Sequence, residues 1–468
     1  MATDIEGPCG DKMKVSNLYL PTTGSMSHPT VTPAPVPNLV ANTICRTVEL
    51  GLSIDNAADA GDVTHLYCHP VTFDLNCPGC GHACQVRDHV ERRLTDLPIV
   101  GHPSLLHVRV PRLACGNDDC EVTIFRASIP QAADDRQSVT CRVTRWILQR
   151  MATDGMSVTA CARALGIGWD KVNQLALDAC RHLSYGDPTR LDRVRVLGVD
   201  EHKWKHVRGD GSPGFVTVIV DLTPLVDGIG PARLLDMVPG RSADAFGDWL
   251  DARGSTFRHR IRVVTMDGFT GYAKAATQHL SQARQVMDPF HVVHLAIDKL
   301  TACRQRVQNE TTGHRGRSGD PLYGIRRILL TRKSLVTPAN AVKLDDVLTA
   351  VAHLPVQVTW YFYQEILAAY QADRPRDGKL RMFKVIKALH VKIPNDLREL
   401  RVLGQTLWRR QADILAYFDT GASNGPVENI NGKLEHLRGI ALGFRNKANY
   451  ILRSLIHSGG LRGAINAL

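Results

Sequence analysis

Val196-Leu197-Gly198-Val199-Asp200 is the stretch on which the fold turns. An apolar run ending on an acid reads as a buried strand, and strand ends are where a parallel or mixed sheet presents residues to a ligand. Val263-Val264-Thr265-Met266-Asp267 repeats the pattern. Between the two, Phe215 to Leu222 and Arg233 to Val238 read as antiparallel strands and Ser242 to Arg253 as a helix, while Ile261 to Met266 reads as a central strand. The order from about 193 to 290 is strand, strand, strand, helix, strand, helix, strand, so Asp200 and Asp267 are expected to meet on one edge of one sheet. Side chains alternate along a strand, so Asp200 and Glu201 face opposite ways; Asp200 is the candidate because it ends the run Val194 to Val199. A lone Asp at such a place ordinarily caps a turn or a helix. Two in this strand order point to a shared site.

A third acid lies far along the chain, in Asn424-Gly425-Pro426-Val427-Glu428. Ser423-Asn424-Gly425 is a turn signal and Pro426 suits the first helical position, which puts Glu428 in a first helical turn. The helix dipole favours an acid there in any case. Glu435, seven residues on, shares its face and is the reserve candidate. Three carboxylates so placed are what two divalent ions need for phosphoryl transfer on nucleic acid.

Asp267 stands 67 residues after Asp200, room for three strands and a helix, but Glu428 stands 161 residues after Asp267. A helical insertion of roughly 130 residues is therefore expected before the last core helix. In it, Arg304, Arg306, Arg315, Arg317, Arg326, Arg327, Arg332 and Lys333 face only Glu310 and Asp320 locally, a segment suited to DNA phosphates or else a solvated basic face.

Composition agrees with a polyanionic partner: 57 Lys plus Arg against 46 Asp plus Glu, net charge +11, and pI about 9.1. No apolar stretch reaches the roughly 18 to 20 residues of a membrane span. Met1 to Glu6 has neither the basic start nor the apolar core of a secretion signal, so a cytoplasmic protein without a membrane partner is expected. Its 12 cysteines should then be metal ligands or reduced thiols.

Cys77-Pro78-Gly79-Cys80 and Cys115-Gly116-Asn117-Asp118-Asp119-Cys120 are the metal candidates. A Cys-x2-Cys knuckle presents two thiolates on one side, and a second close pair completes a closed tetrahedral Zn²⁺ site. The knuckles are 34 residues apart, long for a zinc ribbon, and His82, Cys84 and Cys68 remain substitute ligands. Cys9, Cys45, Cys141, Cys161, Cys180 and Cys303 lack paired spacing and read as ordinary thiols. Further on, Ala162, Gly166 and Val172 have the spacing of a helix-turn-helix, which would turn Asp170, Lys171, Asn173 and Gln174 toward a groove.

The expected organisation is multidomain α/β. A flexible Pro-rich tail (1–44) precedes a zinc-binding module (45–130) and a helix-turn-helix domain (136–190). A mixed-sheet catalytic core (191–295) is then interrupted by the helical insertion (296–420) and completed by last helices (421–468).

Taken in order, these motifs resemble the ISL-three family of bacterial insertion-sequence transposases, of the DDE superfamily. The resemblance runs from about residue 45 to 460. It rests on the four cysteines with Arg92-Arg93-Leu94-Thr95-Asp96-Leu97-Pro98, on the helix-turn-helix, and on Leu197 to Asp200, Pro239-Gly240-Arg241, Asp288-Pro289-Phe290-His291 and Asn424 to Glu428 through Gly443-Phe444-Arg445-Asn446. It implies a ribonuclease-H-like core in which Asp200, Asp267 and Glu428 hold two Mg²⁺ (or Mn²⁺) ions. It also implies double-stranded DNA as partner, at element ends and target, and a homodimer or higher oligomer on that DNA. Asn429 stands where a Gly is usual and Pro289 where an Arg is usual; neither touches a carboxylate. Asp288 and His291 follow the last core strand, as an outer layer of the site or a DNA contact, or as a helix cap and a core histidine. The competing class is a non-catalytic zinc-finger and helix-turn-helix regulator derived from a transposase.

Overall fold

A computed structural model of the chain describes residues 39–205, 214–391 and 393–468. Residues 1–38 of the expected tail, Cys9 among them, lie outside the described residues. The next six, also assigned to the tail, form helix α1 (Leu39–Ile44), because the buried Asn42 accepts from Thr47 Oγ1 and Ile54 N.

The first sheet contains β1 (Leu52–Asp59), β2 (Thr64–Pro70), β3 (Gln85–Ile99), β4 (His102–Ala114) and β5 (Ile124–Arg126), ordered β1-β2-β4-β3 with β5 also on β4. Only β2 and β4 run parallel among these pairs. The apolar stretch Leu105 to Leu113 lies inside β4, and Thr47–Leu50 forms a 3-10 turn ahead of the first strand, which starts at Leu52. Along β3 the inward positions are Arg92, Leu94 and Asp96. The two charges are satisfied from afar: Arg92 donates to Gln137 O at 2.8 Å, and Asp96 pairs with Arg142 and accepts from Thr140 Oγ1 at 2.6 Å.

Arg142 opens α2 (Cys141–Thr153), followed by α3 (Val158–Leu165) and α4 (Trp169–Tyr185). Ser157 caps α3 by accepting from Ala160 N, and Gly166 ends it at φ +65°. A side chain at Gly166 would be strained and would also put a carbon 2.9 Å from Pro103 Cβ. Ala162 and Val172 are buried, as a tight helix pair requires. The three helices are not a free-standing unit. Ile147, Leu165 and Val172 share one core with Val216 and Val218 and with Ile430, Leu434 and Leu455 near the C-terminus.

The second sheet holds β6 (Val196–Lys203), β7 (Phe215–Asp221), β8 (Arg233–Pro239), β9 (Val263–Met266) and β10 (Arg284–Met287), in the order β10-β9-β6-β7-β8. β6, β9 and β10 are parallel, and β7 and β8 continue the sheet antiparallel. Its connections include α5 (Thr223–Val226), α6 (Ala243–Asp251), α7 (Gly254–Arg260) and α8 (Thr270–His279). Phe246, Trp249 and Tyr272 of α6 and α8 cover one face, against Leu197, Val199 and Val264. β6 does not stop at Asp200 as expected but continues to Lys203, with Asp200 opposite Val218. Buried His202, hydrogen-bonded to Tyr450 Oη at 2.7 Å, sustains the extra turns of pleat.

After β10 the chain leaves the sheet through α9 (Pro289–Thr312), α10 (Pro321–Gly324), α11 (Arg326–Leu330), α12 (Pro338–Leu348), α13 (Leu354–Tyr370), α14 (Pro375–His390), α15 (Arg398–Arg409) and α16 (Gln411–Thr420). These helices bury a core of their own, including Leu300, Ile366, Ile386 and Leu403. α16 returns beside β10, where Arg284 pairs with Asp419. The chain ends in α17 (Gly425–Ile440), α18 (Lys447–Ser458) and α19 (Arg462–Ala467). Among the described residues, no helix is long and apolar enough to cross a membrane.

Candidate active site and metal centre

The sheet and α17 are brought together by a missing side chain. A methyl group at Gly198 would overlap Val427 Cγ2 and approach Leu222 Cδ1 to 3.1 Å, so glycine there lets α17 lie directly on β6. The helix start is then latched. Asn424 Oδ1 accepts from Thr265 Oγ1 at 2.9 Å, Asn424 Nδ2 donates to Val199 O at 3.3 Å, and Asn424 N donates to Asp288 Oδ1 at 2.8 Å. One residue thus ties β6, β9 and the end of β10 to the turn that carries Glu428. In the sequence Asn424 reads only as part of a turn.

Asp200 and Asp267 are buried and Glu428 is exposed at the first turn of α17. Asp200 Oδ1 accepts from Glu201 N at 2.8 Å and Oδ2 from Asn431 Nδ2 at 3.0 Å. Asp267 lies just past β9, where its Oδ1 accepts from Phe269 N at 2.8 Å. Burial pushes the Asp200 carboxyl up to about 7; the Glu201 N–H opposes this, and the charges of Asp267 and Glu428 add to it. Among the described residues, none of the three carboxylates has an ion pair with a basic side chain. Negative charge that converges without an ion-paired basic side chain, with only the His291 imidazole acting on it from nearby, fits a divalent cation. The carboxylates are more widely set than the cysteines, which are the only group of three or more potential ligands among the described residues with ligating atoms all within 4.8 Å.

The neighbours sort themselves. Glu201 faces the other side of β6 and pairs with Arg241. Glu435 pairs with Arg438 at 2.7 Å, and Arg438 donates to Lys203 O, so the reserve candidate sits at the far end of β6. Asp288 caps α9 by accepting from Phe290 N. His291, with Nδ1 3.6 Å from Asp288 Oδ2, is raised by Asp288 and further by Asp267 and Asp200. A cleft of about 360 Å³ beside it is closed by Thr406, Arg409 and Arg410. Those two arginines lie beyond the basic segment singled out in the sequence.

The four cysteine sulfurs gather as expected, Cys77 to Cys120 at 3.7 Å and Cys80 to Cys115 at 3.5 Å. A tetrahedron with Zn–S of about 2.3 Å has edges of about 3.8 Å, so the quartet fits zinc. The His82 N–H directed at its sulfur, with help from the Asn117 amide and against burial, holds the Cys80 thiol down at about 6. Cys84 instead turns to His82 O, and Cys68 is buried in β2.

The proposed DNA contacts divide. Gln174 is exposed and Lys171 reaches Gln137 Oε1 at 3.3 Å, but Asn173 is buried rather than turned outward. Arg315, Arg317 and Arg327 are exposed, and Arg326 stacks on Tyr323 at 3.9 Å. Arg304 and Arg306 are interior. Arg304 is buried against Gln308, and Arg306 holds Glu399 of α15 at 2.8 Å, an acid 93 residues away.

A mixed sheet carrying two acids, a third acid on the helix packed against it and a four-cysteine cluster elsewhere in the chain set the class, and comparison with known proteins defines the family. Residues 197–454 match the family model of ISL3 DDE transposases, described as Transposase, and the chain belongs to this family. It is 25% identical over 403 residues to the transposase for insertion sequence element IS1001 of Bordetella parapertussis, covering 84% of this chain and 91% of that one. It is 26% identical over 331 residues to the transposase for IS1557 of Mycobacterium tuberculosis, covering 65% and 69%. The family makes the chain a DNA-binding enzyme of the polynucleotidyl-transferase type. The matched stretch contains all three carboxylates and excludes the four clustered cysteines.

Proposed function

We propose that the protein binds the ends of an insertion sequence and carries out DNA cleavage and strand transfer at Asp200, Asp267 and Glu428. The observation that carries this reading is the convergence of those carboxylates from β6, the end of β9 and α17, without a basic partner among the described residues. The sheet order, three parallel strands continued by two antiparallel ones with helices on both faces, supports a ribonuclease-H-like core. The α3–Gly166–α4 pair supports a helix-turn-helix reader, and the cysteine quartet a structural zinc. Two bound divalent ions, Mg²⁺ or Mn²⁺, would activate the attacking oxygen and stabilise the leaving one.

The protein's own part is positioning. Asn431 and the Glu201 N–H fix Asp200, and the Asn424 latch fixes Glu428. Water adds to the phosphorus at the element end, the P–O3′ bond breaks, and a 3′-hydroxyl and a 5′-phosphate result. That hydroxyl then attacks a target phosphodiester, releasing the target's own 3′-oxygen. No Ser or Tyr nucleophile is needed, and joining two ends calls for at least a dimer. Asp200→Asn, Asp267→Asn and Glu428→Gln should each retain DNA binding and lose Mg²⁺-dependent nicking and joining of duplexes carrying the element's ends, whereas Glu435→Gln should remain active. Full nicking by Asp200→Asn would overturn the mechanism, and a wild type that binds ends without cutting them would favour the regulator.

A further inference from the structure

The cleft between the α3–α4 pair and the α17–α18 turn has a volume of about 690 Å³. Its lining includes Trp169, Asn173, Leu442, Arg445, Asn449 and Arg453, and no acid. Arg453 is only 4% exposed, yet among the described residues it makes no hydrogen bond or ion pair. A guanidinium so placed, opening on a cleft whose lining holds no acid, has no protein counter-charge, and an anion is the ligand that would complete it. Asn173, 9% exposed, likewise has a side-chain amide with no partner among the described residues. Both project into the same space.

Three helix starts converge there as well: Ser157, Val158 and Thr159 open α3, Trp169 opens α4, and Asn446 caps α18. Each contributes the positive end of its dipole. At the mouth, Leu442 is 96% exposed in left-handed backbone (φ +53°), a conformation a branched apolar residue adopts only under constraint. It leads into Gly443-Phe444-Arg445-Asn446, a stretch the carboxylate site does not use.

We propose that this cleft is a binding site for a segment of duplex DNA backbone, with Arg453 as its buried phosphate anchor and Trp169, Leu442 and Arg445 at its mouth. The volume exceeds what one phosphate group fills, so the adjoining sugars enter with it. The proposal rests on the reading of the chain as a DNA-end-binding transposase, and it assigns the DNA contact to the back of α4 rather than only to its outward face.

The test uses the full chain and a fluorescent mixed-sequence duplex of about 30 base pairs, titrated between about 50 and 200 mM salt. Arg453→Gln should weaken binding about tenfold and flatten the log–log salt slope by about 0.9, the share of one phosphate. Its thermal midpoint should equal or exceed that of the wild type, because an unpaired buried charge has been removed. Asn449→Asp, a partly exposed change, should weaken binding by repulsion whether or not Arg453→Gln folds. Wild-type slope and affinity in Asn449→Asp, or a lowered midpoint with unchanged slope in Arg453→Gln, would overturn the cleft and show a structural arginine. A wild-type chain that fails to bind the duplex overturns the DNA-binding reading itself, a separate outcome.

Discussion

Asp200→Asn should make the metal-stripped protein more stable at pH 8 and leave its stability at pH 4 nearly unchanged. The Asp200 carboxyl moves from 3.8 to about 7 on folding, so the native state holds its proton more tightly than the unfolded chain does. Stability is therefore undisturbed below pH 4 and falls as pH rises from 4 through 7, by ~4 kcal/mol once the carboxylate is fully ionised. An amide removes that cost. It can keep the bond from Glu201 N, and a flipped Asn431 can offer its otherwise unpartnered Oδ1 to the new NH₂. Relaxation around the site will absorb part of the ~4 kcal/mol ceiling, leaving a rise in thermal midpoint of about 5 °C at pH 8. The assay is thermal unfolding in EDTA at pH 4 to 8, followed by circular dichroism. Adding Mg²⁺ at pH 8 should raise the wild type and not the variant. A difference between the two proteins that is absent, or equal at pH 5 and pH 8, refutes the claim that Asp200 is an electrostatically strained carboxylate.

Three other perturbations test the surrounding architecture. Freshly purified protein should contain about one Zn²⁺ per chain by metal analysis; Cys77→Ser or Cys115→Ser should lower that content and weaken DNA binding, and zinc-free wild-type protein of full stability would exclude the site. Asn424→Ala removes two side-chain hydrogen bonds and strands the Thr265 hydroxyl and Val199 carbonyl, costing about 2 to 4 kcal/mol in chemical denaturation and lowering cleavage more than DNA affinity. Arg306→Ala should destabilise the helical insertion by leaving Glu399 with only the longer contact from Arg398, while Arg317→Ala should leave stability alone and flatten the salt dependence of DNA binding; equal effects would mean the two arginines are not sorted as interior and surface.

The succession of strands in the second sheet was legible because its buried strands are continuous apolar runs, and the cysteine knuckles because ligand spacing is local. What escaped the reading was polar residues used as interior ones. β6 reads as ending at Asp200 because Glu201-His202-Lys203 looks like a turn, yet His202 is buried against Tyr450, 248 residues away. β3 offers Arg92 and Asp96 to the interior on either side of Leu94, a pattern without a hydrophobic signal that is satisfied by Gln137 and Arg142. Arg304 and Arg306 read as a basic face because Glu310 and Asp320 are the only acids close in sequence, yet Arg304 turns to Gln308 and Arg306 to the distant Glu399. Among the site residues, Gly198 carried the readable clue: a glycine within an apolar strand marks close approach of a neighbouring element, here α17 through its Val427 side chain.

α17 has Glu428 in its first turn and the cleft at its other end. From Glu428 to Ile440 a straight helix rises about 18 Å, close to five base pairs of B-form DNA. On the proposed reading this makes the helix a molecular ruler: the phosphate seated at Arg453 and the phosphate that is cut are separated by a distance that the protein, not the DNA sequence, sets. A chain with one turn more in this helix would move the cut by between one and two base pairs relative to the same seated phosphate.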